Sequence, residues 1–256
     1  MCRGTLLLSI VLAAATSARA SILYDESVSG DLSNNQSAPT ARTLAIGTNS
    51  IKGAVGGTES QDWVALTVPA GDVLSSLVLA SYVSTDSQGF IGVQAGASFV
   101  GSTNSPSSYL GYAHFGTGAT NGSLPPTNLV GTNLLPLMGD TSIASGAVGF
   151  TPPLSAGTYT FLIQQLGSAT TYQFDFNVTP MPGDFNFDGR VNAADYVVWR
   201  KLDGTQTGYQ AWRSHFGQPS GSGSIVTTNA AVPEPTTLLL LTIAVAGSCL
   251  LLCRAT

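Results

Sequence analysis

The stretch YQFDFNV, residues 172–178, decides the fold class. Tyr172, Phe174, Phe176 and Val178 alternate with Gln173, Asp175 and Asn177, which puts aromatic rings and a valine on one side of a strand and polar groups on the other. Such a strand buries one face and exposes the other. Upstream, Tyr159, Phe161 and Ile163 repeat the alternation, and Gly167 to Thr170 supplies turn residues between the two runs, so they are expected as a terminal antiparallel hairpin. Trp63 to Val68 is a further strand, stopped by Pro69, Ala70, Gly71 and Asp72. Val73 to Ala80 and Phe90 to Ala95 have the same character. No helical period of comparable strength runs through residues 21–180. The expected fold is therefore mainly β, a jelly-roll-like β-sandwich over 21–180.

Composition narrows the function classes. The 256 residues are 43% hydrophobic and only 9% charged, which excludes disorder driven by charge. Fourteen acidic against nine basic residues give a net charge of -5, and no basic cluster exists to neutralise a row of phosphates, so nucleic acid is not an expected partner. Asp25, Glu26, Asp31, Glu59, Asp62, Asp72, Asp86, Asp140 and Asp175 are expected as solvated surface charge and not as paired catalytic carboxylates. His114 and His215 are the only histidines, too few for a multi-histidine metal site. No convergent acid, base and nucleophile set can be named, so the chain is expected to be no enzyme and to have no catalytic residues. Between Gly101 and Gly149 the strand pattern breaks into a Gly-, Ser-, Asn- and Pro-rich region carrying Tyr109, Tyr112, His114 and Phe115. Those rings either stack on a sugar or cover one end of the core.

The residues with chemistry in them lie in GDFNFDGRVNAADYVVWRK, residues 183–201. Counting from Asp184 as position one, oxygen donors fall at Asp184, Asn186, Asp188, Asn192 and Asp195, which are positions 1, 3, 5, 9 and 12. The carbonyl of Arg190 takes position 7, Gly189 position 6 and Val191 the apolar position 8. This is the spacing at which alternate side chains of a twelve-residue loop converge on one hard cation while a glycine allows the sharp turn, so Ca2+ is the expected cofactor. Pro180 and Pro182 prevent a helix from entering the loop, leaving only an exiting one. Tyr209, Trp212 and Arg213 then echo Tyr196, Trp199 and Arg200 without a second loop. Residues 181–217 thus form a small helical module whose metal supplies much of its stability.

The ends carry addressing signals. Arg3, the apolar run Leu6 to Ala15 and the small-residue site Ala18, Arg19, Ala20 define a signal peptide over 1–20, cleaved after Ala20. Residues 218–235 are a flexible linker closing on Pro233, Glu234 and Pro235. Thr236 to Cys253 is an uncharged stretch of 18 residues, about 27 Å as helix and long enough to cross a bilayer. Arg254 keeps the short tail 254–256 cytoplasmic. No cysteine lies between Ser21 and Pro235, so the exported part folds without disulfides.

Three resemblances follow from these stretches. The triplet Pro233, Glu234, Pro235 with its helix and basic end resembles the bacterial PEP-CTERM sorting tail, also labelled ice-binding protein C-terminal domain. It implies export, recognition by an exosortase-type sorting enzyme, membrane residence through the C-terminal helix, and release to the cell surface or extracellular matrix if the tail is processed. The 183–201 loop with its single exiting helix resembles the calcium repeat of a type I dockerin, here a half-dockerin, and implies a cohesin-like protein partner. DWVALTVPAGDVLSSLVL (62–79) with LSAGTYTFLIQQLGSATTYQFDF (154–176) resembles the pre-peptidase C-terminal domain, an accessory sandwich without catalysis of its own. Together they imply an exported, surface-sorted, non-enzymatic protein serving cell-surface or extracellular-matrix interaction. The alternative is a polysaccharide-binding accessory protein of an extracellular carbohydrate-degrading system.

Overall fold

The computed structural model describes residues 21–218. In chain order these hold β1 (Ser21–Asp25), α1 (Glu26–Ser29), β2 (Thr40–Thr43), β3 (Gly47–Val55), β4 (Gln61–Val68), β5 (Asp72–Val83), β6 (Gln88–Ala95), β7 (Gly111–Gly116), α2 (Leu135–Gly139), β8 (Gly157–Gln164), β9 (Thr170–Pro180), α3 (Ala193–Leu202) and α4 (Gln206–His215). Ala20, the 219–235 part of the linker with Pro233, Glu234 and Pro235, and the apolar run 236–253 lie outside the described residues. Within the described residues no helix is long and apolar enough to cross a membrane.

The strands form two sheets, one ordered β1-β3-β9-β5 and the other β2-β4-β8-β6-β7. The short strands β1 and β2 pair in parallel at one edge of each sheet, and every other pairing is antiparallel. This is a β-sandwich, and its core lies where the period-two residues of the sheets face each other. Tyr172, Phe174, Phe176 and Val178 of β9 meet Val64, Leu66 and Val68 of β4 and Phe161 and Ile163 of β8 in one buried cluster. Phe161 and Phe176 pack edge to face at 5.2 Å, as do Phe115 and Phe174 at 4.9 Å. On β5 the buried leucines fall at 74, 77 and 79 and not at a strict period of two. Irregularities between Leu74 and Ser76 and between Leu79 and Ser81 rephase the strand so that each leucine faces inward.

Two expectations need correction. β8 and β9 are not a hairpin: β8 pairs with β4 and β6 in one sheet, and β9 with β3 and β5 in the other. Their aromatic sides bury more surface facing each other across the core than standing side by side in one sheet. The connection that crosses between the sheets is fixed by Gln165 N donating to the Ser60 carbonyl, Gly57 N to that of Gly167, and Ser168 N to Asp86 Oδ2. The region 101–149 is also no continuous loop. It contains β7, in which Ala113 and Phe115 face the core while Tyr112 and His114 stand on the outer face.

That outer face is partly covered. Trp63 of β4 and Leu162 of β8 are buried there under Phe99 and Tyr109, with Phe90 and Tyr112 packed alongside. The segment between β6 and β7 therefore roofs one sheet, so that β4 is buried on both sides.

Candidate functional sites: a cation loop and a buried acid cluster

The chain leaves β9 at Pro180 and turns directly into the 184–195 loop. Asp184 is 4% exposed and Asp195, in the first turn of α3, is fully buried. Asp184 Oδ2 accepts Gly189 N at 2.8 Å and Oδ1 accepts Asp188 N at 3.2 Å, closing the first half of the loop on its first residue. Gly189, at φ 81°, takes the left-handed turn that position 6 demands. Asp195 Oδ1 accepts the amides of Phe185 and Asn186, and Oδ2 accepts Asn192 N at 2.7 Å. Asn192 is the N-cap of α3 and completes a capping box with Asp195, so the second half of the loop is set by the start of the helix. Asn186 and Asp188 are joined by a 2.9 Å hydrogen bond, and Asp188 Oδ1 accepts Arg190 N.

The loop thus gathers Asp184, Asn186, Asp188, Asn192 and Asp195 around one turn with two carboxylates out of water. Burial, with the charges of Asp195 and Asp188 adding, pushes the Asp184 carboxyl up against the pull of the Gly189 and Asp188 amides. The one ion pair among the described residues joins Lys52 to Asp25, so none of the described basic side chains is paired with the loop's carboxylates. An all-oxygen donor set with two buried carboxylates that no described basic side chain pairs with fits a hard divalent cation. Asp184, Asn186, Asp188, the Arg190 carbonyl, Asn192 and Asp195 are the groups that would hold it.

The second site corrects the expectation of solvated surface charge. Asp62 is fully buried. It precedes Trp63 on β4, on the same side of the strand as Val64, Leu66 and Val68, and it meets Tyr172 of the opposite sheet, whose hydroxyl donates to Asp62 Oδ2 at 2.7 Å. Glu26, Asp31 and Asp62 each offer an oxygen within 4.8 Å of the others, with Glu59 beside them. Asp62 Oδ1 and Glu59 Oε1 are buried without a hydrogen-bond partner. Burial pushes Asp62 up to about 8 against the hydrogen bond from Tyr172, and the neighbouring carboxylates add to the rise. Burial, then Asp31 and Glu26, push Glu59 up to about 7. Glu26 is raised by burial although its oxygens accept Leu32 N and Ala54 N, which ties the segment after β1 to β3. Gly53 makes room for this layer, since a Cβ there would strike the Tyr172 hydroxyl. Shared protons or a hard cation would satisfy this group. The alternation of Asp62 with Val64, Leu66 and Val68 along β4 is the signal that the expectation of surface charge overlooked. Of the other expected surface acids, Asp25 caps α1 and Asp140 caps the turn at Ser142.

Of the rings between Gly101 and Gly149, Tyr109 and Phe115 are buried and cover core. Tyr112 and His114 stay half-buried around Phe90 on the outer face. There Gln88, Phe90, His114 and Gln164 line a shallow groove of roughly 240 Å³.

No protein-family model and no curated protein matches this sequence. Among solved structures, the chain is similar to the pre-peptidase C-terminal domain of collagenase from Bacillus anthracis, at 12% identity and a TM-score of 0.27, over 54% of this chain and 94% of that one. At that score the β-sandwich stands on its own two sheets.

Proposed function

We propose that the chain is an exported, surface-sorted, non-enzymatic protein in which a jelly-roll-like sandwich and a half-dockerin calcium module serve cell-surface or extracellular-matrix interaction. The observation that carries this reading is the 184–195 loop: its first and last carboxylates are buried, its six ligating positions share one turn, and no basic side chain among the described residues forms an ion pair with them. Ca2+ supplies the missing charge when bound. The protein's residues orient the donors, through the Gly189 amide on Asp184 and the capping box at Asn192. Export, the exosortase-type partner and the membrane helix rest on the sequence of the two ends.

Calorimetric titration tests the loop. Wild type is expected to bind one Ca2+, and Asp184→Ala and Asp188→Ala to abolish the heat; an unchanged isotherm in both variants refutes the site. Retention of the protein on the host's extracellular polysaccharide and cell envelope, in calcium and in chelator, tests the role. Calcium-dependent retention supports it, and loss of retention in both conditions refutes it.

The groove around Phe90 favours the second reading, a polysaccharide-binding accessory protein. Ring faces flanked by amides are the chemistry that holds a sugar by stacking and hydrogen bonds. Phe90→Ala would then abolish glycan retention and leave Ca2+ binding unchanged.

A further inference from the structure

Val191 lies where the loop turns from its first to its second half, and its backbone is engaged on both sides. Val191 N donates to the Gln218 carbonyl at 2.8 Å, and Gly217 N donates to the Val191 carbonyl at 2.7 Å. Two residues, Gly217 and Gln218, thus oppose the single residue Val191, and with Gly217 at φ 86° the pairing is that of a G1 β-bulge. The chain's own residues 217 and 218 thus form a short strap on the loop at the point from which the linker departs. The Val191 side chain is 1% exposed and packs with Val73 of β5, Met181 and Trp212. Trp212 Nε1 donates to the Asn192 carbonyl at 2.7 Å, which binds α4 to the same stretch of loop.

The loop also touches the sandwich. Met181 N donates to the Gly71 carbonyl at 2.9 Å, extending the pairing of Asp72 with Pro180. Gly71 and Gly189 meet backbone to backbone: a Cβ on Gly189 would lie 3.0 Å from Gly71 N, and one on Gly71 would lie 3.5 Å from Gly189 Cα. Along the loop, donors and contact residues alternate. The donor positions Asp188, Arg190 and Asn192 are interleaved with Gly189, which meets the β4–β5 turn, and Val191, which meets β5 and the strap. The curvature that gathers the donors is therefore the curvature that presents these two contacts.

We propose that the cation loop is a joint, in which loading the loop locks the 217–218 strap and seats the helices on the β4–β5 turn of the sandwich. This rests on the calcium reading above and adds to it a consequence outside the loop. Without the cation, the carboxylates of Asp184, Asp188 and Asp195 repel one another and the curvature relaxes. The Val191 pairing and the Gly189 contact then loosen together. The linker root is held against the sandwich in the loaded protein and let go in the unloaded one.

The test is hydrogen exchange of the full-length chain, kept in detergent for its apolar C-terminal run, in calcium and in chelator, with Ca2+ binding measured in the same preparation. Calcium is expected to slow exchange at least about tenfold at the amides of Val191, Gly217 and Met181, while the amides of β8 and β9 stay unchanged. Binding without protection at Gly217 and Met181 overturns the joint and leaves the calcium site standing. Absence of binding overturns both. A second measurement uses reciprocity, since a strap locked by the cation must in turn strengthen the cation's binding. Gly217→Pro removes the strap's donor, and its φ of 86° is closed to proline, yet no donor of the loop is touched. Its Ca2+ affinity is expected to fall about tenfold. An affinity equal to wild type would refute the coupling.

Discussion

Asp62 shows what one residue costs when its strand faces it inward. A carboxyl raised from its ordinary 3.8 to about 8 holds its proton in the fold and loses it in the unfolded chain across the range between. Stability contributed this way is fully present below pH 4 and is lost as pH rises through about 8; Glu59, raised to about 7, works in the same direction. In chelator, the sandwich is therefore expected to melt at a lower temperature at pH 9 than at pH 5. Asp62→Asn keeps the shape and an acceptor for the Tyr172 hydroxyl while removing the charge. Thermal melts should place it within about 2 °C of wild type at pH 4 and about 5 °C or more above it at pH 9, on the order of a few kcal/mol. Parallel pH profiles for the two proteins would refute the assignment of the slope to Asp62.

At the scale of elements, the alternation that locates a strand says which face is buried but not which sheet receives it. Residues 172–178 and 159–163 announce two strands with aromatic faces, and a short turn-like connection between them suggests side-by-side pairing. Their separation into opposite sheets depends on Phe161 and Phe176 meeting across the core, which is a long-range fact. β7 is hidden for a different reason. Its residues GYAHFG alternate, but Gly111 and Gly116 at its ends resemble turn residues, and only the packing of Gly111 under the Met138 carbonyl and the Phe150 ring shows that the glycine is there for close approach. A Cβ at Gly111 would strike the Met138 carbonyl oxygen. Gly111→Ala is thus expected to cost about 1–3 kcal/mol and lower the melting temperature by roughly 3–10 °C, and a melt indistinguishable from wild type would contradict this packing. The cation loop is legible because its donors lie within twelve consecutive residues. The acid cluster is not, because Glu26, Asp31, Glu59 and Asp62 are brought together only when β1, β3 and β4 are in place.

For the whole molecule, the two sites divide the stabilising work unequally. The sandwich buries a continuous core of large side chains from both sheets, whereas the helical part buries Met181, Val191 and part of Trp212 against Val73 and leaves Val197, Leu202 and Phe216 exposed. A core that small holds little by hydrophobic burial alone, so a ligand bound only by the folded form carries most of its stability. A cation at 100 times its dissociation constant adds about 2.7 kcal/mol, enough to decide whether α3 and α4 fold and too little to alter the order of unfolding of the sandwich. Calorimetry is therefore expected to show a calcium-dependent transition that moves down by 10 °C or more, or disappears, in chelator, beside a sandwich transition that shifts by less than about 3 °C at pH 6. Asp184→Ala in calcium should reproduce the chelator trace. A single transition moving as one in both conditions would mean that the module and the sandwich unfold as one cooperative unit. The loop would then be part of the sandwich's own stability and not a joint upon it.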